Sequence, residues 1–257
     1  MSVSIWPGVS QEEHFPSLPE SAYIRVELSH RIGVYMYIVA VVAEKGGVGK
    51  TTLALDLAVT ATREGHSVAV LDVDQQATAS KWTDRRTEER PWVVPTHASR
   101  IAASIEQAKG QGVDFIVIDT PPHSSTEAAE AARRADGVVA PVEPHVFAME
   151  TLSKLADLLK IAGNAPYFVV VNKAPVQGSE GINAADFIRQ QGFTVAPVIV
   201  YLRAAHRHAG NVGKVAAEYE RNGKAAEETL QLYTYTCKFI DTQRRANAKA
   251  EPAHARA

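Results

Sequence analysis

A glycine-rich loop set between an apolar strand pattern and a helical one constrains this chain more than any other feature. Tyr37–Ala43 is a continuous apolar run, Thr51–Glu64 carries a helical pattern, and between them lies Glu44-Lys45-Gly46-Gly47-Val48-Gly49-Lys50. Clustered glycines let successive backbone N–H groups turn inward as an anion-binding nest, and the following helix adds the positive end of its dipole. Lys50 is placed to reach terminal phosphates, and the Thr51 hydroxyl that follows it is suited to Mg²⁺. The candidate phosphate-binding residues are therefore Lys45, Gly46, Gly47, Val48, Gly49, Lys50, Thr51 and Thr52. The strand–loop–helix context argues against a chance Gly-Lys-Thr in an ordinary turn.

The same alternation continues along the chain. Short Val- and Ile-rich runs bounded by Gly, Pro or Asp appear at Ser67–Leu71, Trp92–Pro95, Phe115–Ile118, Gly137–Val142, Tyr167–Val171 and Thr194–Val200. Helical patterns separate them at Ala77–Arg86, Ser99–Lys109, Ser125–Arg134, Thr151–Ala162 and Ala184–Gln191. This predicts an α/β fold, a mostly parallel twisted sheet with helices on both faces, whose ligands bind at the carboxyl ends of the strands. With 257 residues, 46% of them apolar, one large core is within reach without staples. The single cysteine, Cys237, excludes a disulfide framework and any CxxC metal or Fe–S site, and suits a reducing cytoplasmic compartment.

Residues 1–35 read as an irregular extension interrupted by Pro7, Pro16 and Pro19, with one candidate strand near Tyr23–Leu28. Translation starting at Met36 is the alternative. Residues 36–242 are expected to form the nucleotide-binding domain, and 243–257 a polar, frayed tail. The longest apolar run, Ile32–Ala43, is about half of the ~20 residues a membrane helix needs.

The loop departs from the usual GxxxxGK[ST] pattern: Glu44 stands where its first glycine belongs, and Lys45 precedes the double glycine. In this respect the string Lys45–Thr52 resembles the deviant-Walker-A ATPases of the ParA/MinD family, and most closely the small ParA-type partition ATPases. The resemblance spans about Met36 to Leu232 and implies the P-loop NTPase fold, ATP with Mg²⁺, and a nucleotide-sandwich homodimer in which Lys45 contacts the partner's ATP. A second cation can neutralise a triphosphate only once both subunits close, so dimerisation would depend on nucleotide. A solvated loop lysine is the plain alternative.

Two acidic strand ends complete the pattern. Ser67–Leu71 leads into Asp72-Val73-Asp74-Gln75-Gln76, similar to the family's D-x-D-P-Q with Gln75 in place of proline. By that resemblance Asp74 would orient the attacking water and Asp72 would support the Mg²⁺ shell; helix capping before Ala77 is the alternative for both. Phe115–Ile118 ends in Asp119-Thr120-Pro121-Pro122, a Walker B arrangement in which Asp119 would hold Mg²⁺ opposite Thr51. Tyr167–Val171 leads to Asn172-Lys173-Ala174-Pro175; Pro175 replaces the aspartate of a guanine-specific NKxD element, which favours ATP over GTP. Asn172 either contacts adenine, as the resemblance implies, or caps the strand end.

The net charge of −2 means that any grip on DNA must be local. Arg203, His206, Arg207, His208 and Lys214, with Lys238, Arg244, Arg245, Lys249 and Arg256 further on, supply basic residues where the resemblance implies non-specific DNA binding. A solvated charged face is the alternative. Ala226, Leu230, Tyr233, Cys237 and Ile240 form a stripe at helical spacing, but Glu227, Glu228, Gln231 and Asp241 opposite it disfavour an anionic membrane. That helix is expected to dock on the sheet. The resemblance implies partner-stimulated ATP hydrolysis, with a centromere-binding ParB-like adaptor, in plasmid or chromosome partition. A switch that positions a protein complex would share every motif. Lys45 and the absence of an evident glutaminase domain weigh against the metabolic carboxylate-activating relatives.

Overall fold

The computed structural model describes residues 36–122, 125–144 and 148–250. In chain order they form β1 (Tyr37–Val41), α1 (Lys50–Arg63), β2 (Val68–Asp72), α2 (Thr78–Thr83), β3 (Trp92–Pro95), α3 (Ile101–Gly110), β4 (Phe115–Asp119) and α4 (Ser125–Arg134). There follow β5 (Gly137–Val142), α5 (Ala148–Ile161), β6 (Tyr167–Val171), α6 (Glu180–Gln190), α7 (Ala204–Gly210), α8 (Ala216–Tyr219) and α9 (Lys224–Ala250). A 3₁₀ turn, Ala98–Arg100, leads into α3.

The six strands are parallel in the order β3-β2-β4-β1-β5-β6. Strands buried on both faces need no polar alternation, which is why their sequences read as unbroken Val/Ile runs. One face packs Ala40, Val42, Ile116 and Ile118 against α3, α4, α5 and α6; the other packs Val39, Val41 and Val117 against α1 and α9. Register sets the strand ends level: Val41 pairs with Asp119, and Asp119 with Asp72. The loops that carry the chemistry therefore meet at one edge of the sheet.

Three expectations change. The run Thr194–Val200 is not a strand; it follows the β6 side through isolated bridges, Val169 to Val195 and Ala174 to Tyr201, and a Val200 N–H donated to the Val171 carbonyl at 2.9 Å. Pro197 sits inside it and cannot donate to a ladder, so the segment docks irregularly on an edge that the sheet otherwise leaves open. The polar tail expected from residue 243 instead continues as helix to Ala250. Arg244 pins it by donating to the Met36 carbonyl (2.5 Å) and to Asp136 (2.8 Å), while the Tyr37 hydroxyl donates to Asp241 (3.0 Å). Finally, α9 docks on the sheet, but Leu230 is 45% exposed and the buried line runs through Ala225, Thr229, Leu232, Thr236 and Ile240. Thr229 and Thr236 fit there because each hydroxyl returns to the carbonyl one turn earlier, at 2.9 and 2.8 Å. The expected strand at Tyr23–Leu28 lies outside the described residues, as does Arg256.

Where α9 crosses β5, the approach is close: a Cβ on Gly137 would stand 2.9 Å from the Ile240 side chain. Overpacking of this kind costs about 1–3 kcal/mol. Gly137→Ala should lower the thermal midpoint by roughly 2–10 °C, given about 2–4 °C per kcal/mol in a chain of this size. An unchanged midpoint in differential scanning calorimetry would show that α9 is not seated there.

Candidate nucleotide-binding site

The loop leaves β1, turns through Gly47 (φ 80°) and Gly49 (φ 92°), and enters α1 at Lys50. Gly49 is doubly required: its φ is left-handed, and a Cβ there would sit 2.5 Å from the Asn172 amide nitrogen. That nitrogen donates to the Val48 carbonyl at 2.7 Å, and Lys173 donates to the Gly47 carbonyl. The end of β6 thus holds the loop from behind. Asn172, only 4% exposed, has the definite task of supporting the loop. A base contact would have to use the rest of its amide group.

Lys50 and Lys45 differ sharply in access. Lys50 is 6% exposed, and its ammonium points back to the Lys45 carbonyl at 3.4 Å. Burial holds its pKa below the ordinary lysine value, opposed by the charges of Asp119, Asp74 and Glu44. Lys45 has a side chain 54% exposed and lies 3.4 Å from Glu143, the residue just after β5.

The acids also divide by task. Asp119, at the end of β4, is buried, and desolvation pushes its pKa up to about 7 while the Thr51 hydroxyl and Lys50 favour its charged form. Among the described residues, neither of its oxygens meets a donor at hydrogen-bonding geometry. A sealed carboxylate without such donors is costly unless a cation joins it, so the pair Thr51–Asp119 fits a divalent metal. Asp72, one strand over, is occupied differently. Its Oδ2 accepts from the Ser80 backbone N–H (3.0 Å) and hydroxyl (2.9 Å), and its Oδ1 from the Asp74 N–H (3.3 Å). Asp72 therefore ties the β2–α2 loop to α2. Asp74 caps its own turn through the Gln76 N–H at 2.9 Å and is close enough to Lys50 to stabilise its charge.

Sequence reading missed α7 and its link to α1. One turn along α1 from Thr52, the buried Asp56 lies with Oδ2 3.1 Å from His206 Nδ1, an ion-pair distance without linear hydrogen-bond geometry. Between these helices and α2 is a cavity of about 270 Å³ whose lining includes Thr51, Thr52, Asp56, His206, Arg207 and Lys214. Burial lowers the His206 pKa, but Asp56, aided by Glu228 and opposed by Arg203, carries it above the ordinary value. A raised histidine stabilises the fold below its unfolded pKa, and that stability is lost as pH rises through the folded value. The thermal midpoint should therefore fall from about pH 6 to pH 8, and His206→Gln should flatten the slope. Equal slopes would take the pair out of the α1–α7 link.

Comparison with known proteins finds relatives that share this fold. "Maintenance of carboxysome distribution protein A" of Gloeobacter kilaueensis is 27% identical over 210 residues, covering 80% of this chain and 95% of the relative. "Sporulation initiation inhibitor protein Soj" of Bacillus subtilis is 26% identical over 246 residues, covering 76% and 96%. Among solved structures, the septum site-determining protein MinD complexed with Mg-ADP from Pyrococcus horikoshii superimposes with a TM-score of 0.64 at 19% identity, covering 81% of this chain and 98% of that one. Residues 39–214 match the family described as the CobQ/CobB/MinD/ParA nucleotide binding domain. They span the loop, both acidic strand ends and α7, and so the chain belongs to that family as a P-loop ATPase of the ParA/MinD type.

Proposed function

We propose that this chain is a ParA-like, ATP-driven switch that dimerises around nucleotide, grips DNA without sequence preference and releases it on hydrolysis. The observation that carries the reading is the contrast at the loop: Lys50 is buried against its own site, whereas Lys45 projects outward. A lysine excluded from its own site but adjacent to it is suited to a nucleotide in a facing copy. Lys50 and the loop amides take the phosphates, and Thr51 with Asp119 holds Mg²⁺. Mg²⁺, once bound, offsets charge on the β- and γ-phosphates, and Asp74 orients the attacking water.

The structure sorts the candidate DNA contacts. Arg203 is committed to Glu228 at 2.6 Å, Arg244 to Asp136 and His206 to Asp56, so these serve the fold. Arg207, with Arg85 and Lys214, clusters on the cavity beside Thr51 and Thr52, where nucleotide state can alter access to it. Lys238, Arg245 and Lys249 lie along α9, which is pinned to the start of β1, at the end of the strands opposite the phosphate loop. The first group is the better candidate for a grip switched by ATP.

Partition of plasmid or chromosomal DNA, with hydrolysis stimulated by a ParB-like adaptor, is the first use of such a switch; the similarity to "Chromosome-partitioning ATPase Soj" of Thermus thermophilus, 28% identical over 151 residues, supports the partition itself. A switch that positions a protein complex rather than DNA is supported by the similarity to the carboxysome distribution protein. Retention on random-sequence DNA across a salt series separates the two. Wild-type protein should be retained with ATP, weaken steeply with salt and be released with ADP; Lys45→Ala should not be retained in either state. DNA that fails to retain the ATP-bound wild type would leave a switch acting on another scaffold.

A further inference from the structure

Glu143 is named by no motif, yet it joins both lysines that flank the phosphate loop. Its Oε2 lies 3.4 Å from Lys45, and its Oε1 lies 3.6 Å from Lys173. Lys173 in turn grips the Gly47 carbonyl. Glu143 follows β5, the neighbour of β1 in the sheet, and its side chain is 19% exposed against 54% for Lys45. The carboxylate is thus the more enclosed member of the pair, held by a second lysine, and Lys45 the more exposed one. We infer that Glu143 is a positioning residue that parks Lys45 in its own subunit and so sets the threshold for nucleotide-dependent dimerisation.

The physical argument is competition for one cation. An ammonium paired with a carboxylate 3.4 Å away cannot be given to a phosphate in a facing subunit without breaking that pair. A triphosphate presented by a second copy offers more negative charge than a single carboxylate, and closing the interface removes the water that screens it. A diphosphate offers less. Glu143 therefore biases the chain against closing on ADP or on no nucleotide, while Lys173 keeps the carboxylate in place after Lys45 leaves. The inference rests on the proposed role of Lys45 across a dimer.

Because Lys45 is more than half exposed, the pair is worth at most a few-fold, about fivefold per subunit. Both subunits must release their lysine, so the dimer dissociation constant should change by about 5- to 30-fold. The experiment compares wild type with Glu143→Gln, which keeps shape and removes charge. Dimerisation with a non-hydrolysable ATP analogue is followed by sedimentation velocity, and monomer affinity by titration with fluorescent ADP. The expected result is a dimer constant tightened about 5- to 30-fold, with ADP affinity within about twofold. The double variant Lys45→Ala/Glu143→Gln should match Lys45→Ala, since there is nothing left to park. An unchanged or weakened dimer with normal ADP affinity overturns the inference. Lost ADP affinity does so too, because Glu143 is then a scaffold of the loop. A wild type that never dimerises with the analogue instead overturns the proposed function itself, which keeps the two failures apart.

Discussion

Lys50→Ala should lower affinity for ATP by at least about 100-fold in isothermal titration while circular dichroism shows the fold retained. The size follows from the setting. Lys50 is buried beneath the loop, among Asp119, Asp74 and Glu44, and its pKa is held down by desolvation. A phosphate arriving there meets an ammonium already stripped of water and already paid for in folding, so the contact is worth far more than a surface pair. Removing it also leaves Asp119 without one of the charges that favour its ionised form. Retained micromolar binding would mean that the loop amides suffice and that Lys50 is not the phosphate ligand.

Asp74→Ala should separate binding from turnover. ATP binding and the ATP-dependent dimer persist, while the hydrolysis rate falls by about 100-fold or more. Asp74 caps its own turn with one carboxylate oxygen, and its neighbour Asp72 holds the loop that carries it, so Asp74 stands on a defined scaffold beyond β2. Asp72→Ala makes the contrast: loss of three hydrogen bonds loosens the β2–α2 loop, and its effect should appear in stability as well as in rate. Unchanged turnover in Asp74→Ala would remove that residue from the mechanism.

The parts of the fold read most closely from sequence were those in which local chemistry and tertiary packing agree. Trp92–Pro95, Gly137–Val142 and Tyr167–Val171 end where their flanking Gly, Pro and Asp residues say they should. Thr194–Val200 misled because a β-branched run is compatible with a strand while Pro197 forbids a regular ladder. The helix α7 was hidden because Ala204–Gly210 is short, with few apolar residues and no clear period. The stripe on α9 was displaced because threonines count as polar in any pattern, yet Thr229 and Thr236 satisfy their hydroxyls within the helix and enter the core. The basic residues near the C-terminus looked equivalent in sequence. Ion pairs to Glu228 and Asp136 set Arg203 and Arg244 apart from the others.

By itself the sequence determined the phosphate loop, the two acidic strand ends and the alternation that folds into a parallel sheet. Those depend on residue type and short spacing, which a single chain displays openly. Only the tertiary structure decided which carboxylate is left without a hydrogen-bond donor among the described residues, which lysine is exposed, and that Asn172 and Lys173 hold the loop from the end of β6. These roles depend on which strands lie side by side and how their ends align. Residues 98 to 126 positions apart meet there because β5 lies beside β1 and β6 beside β5 in the sheet.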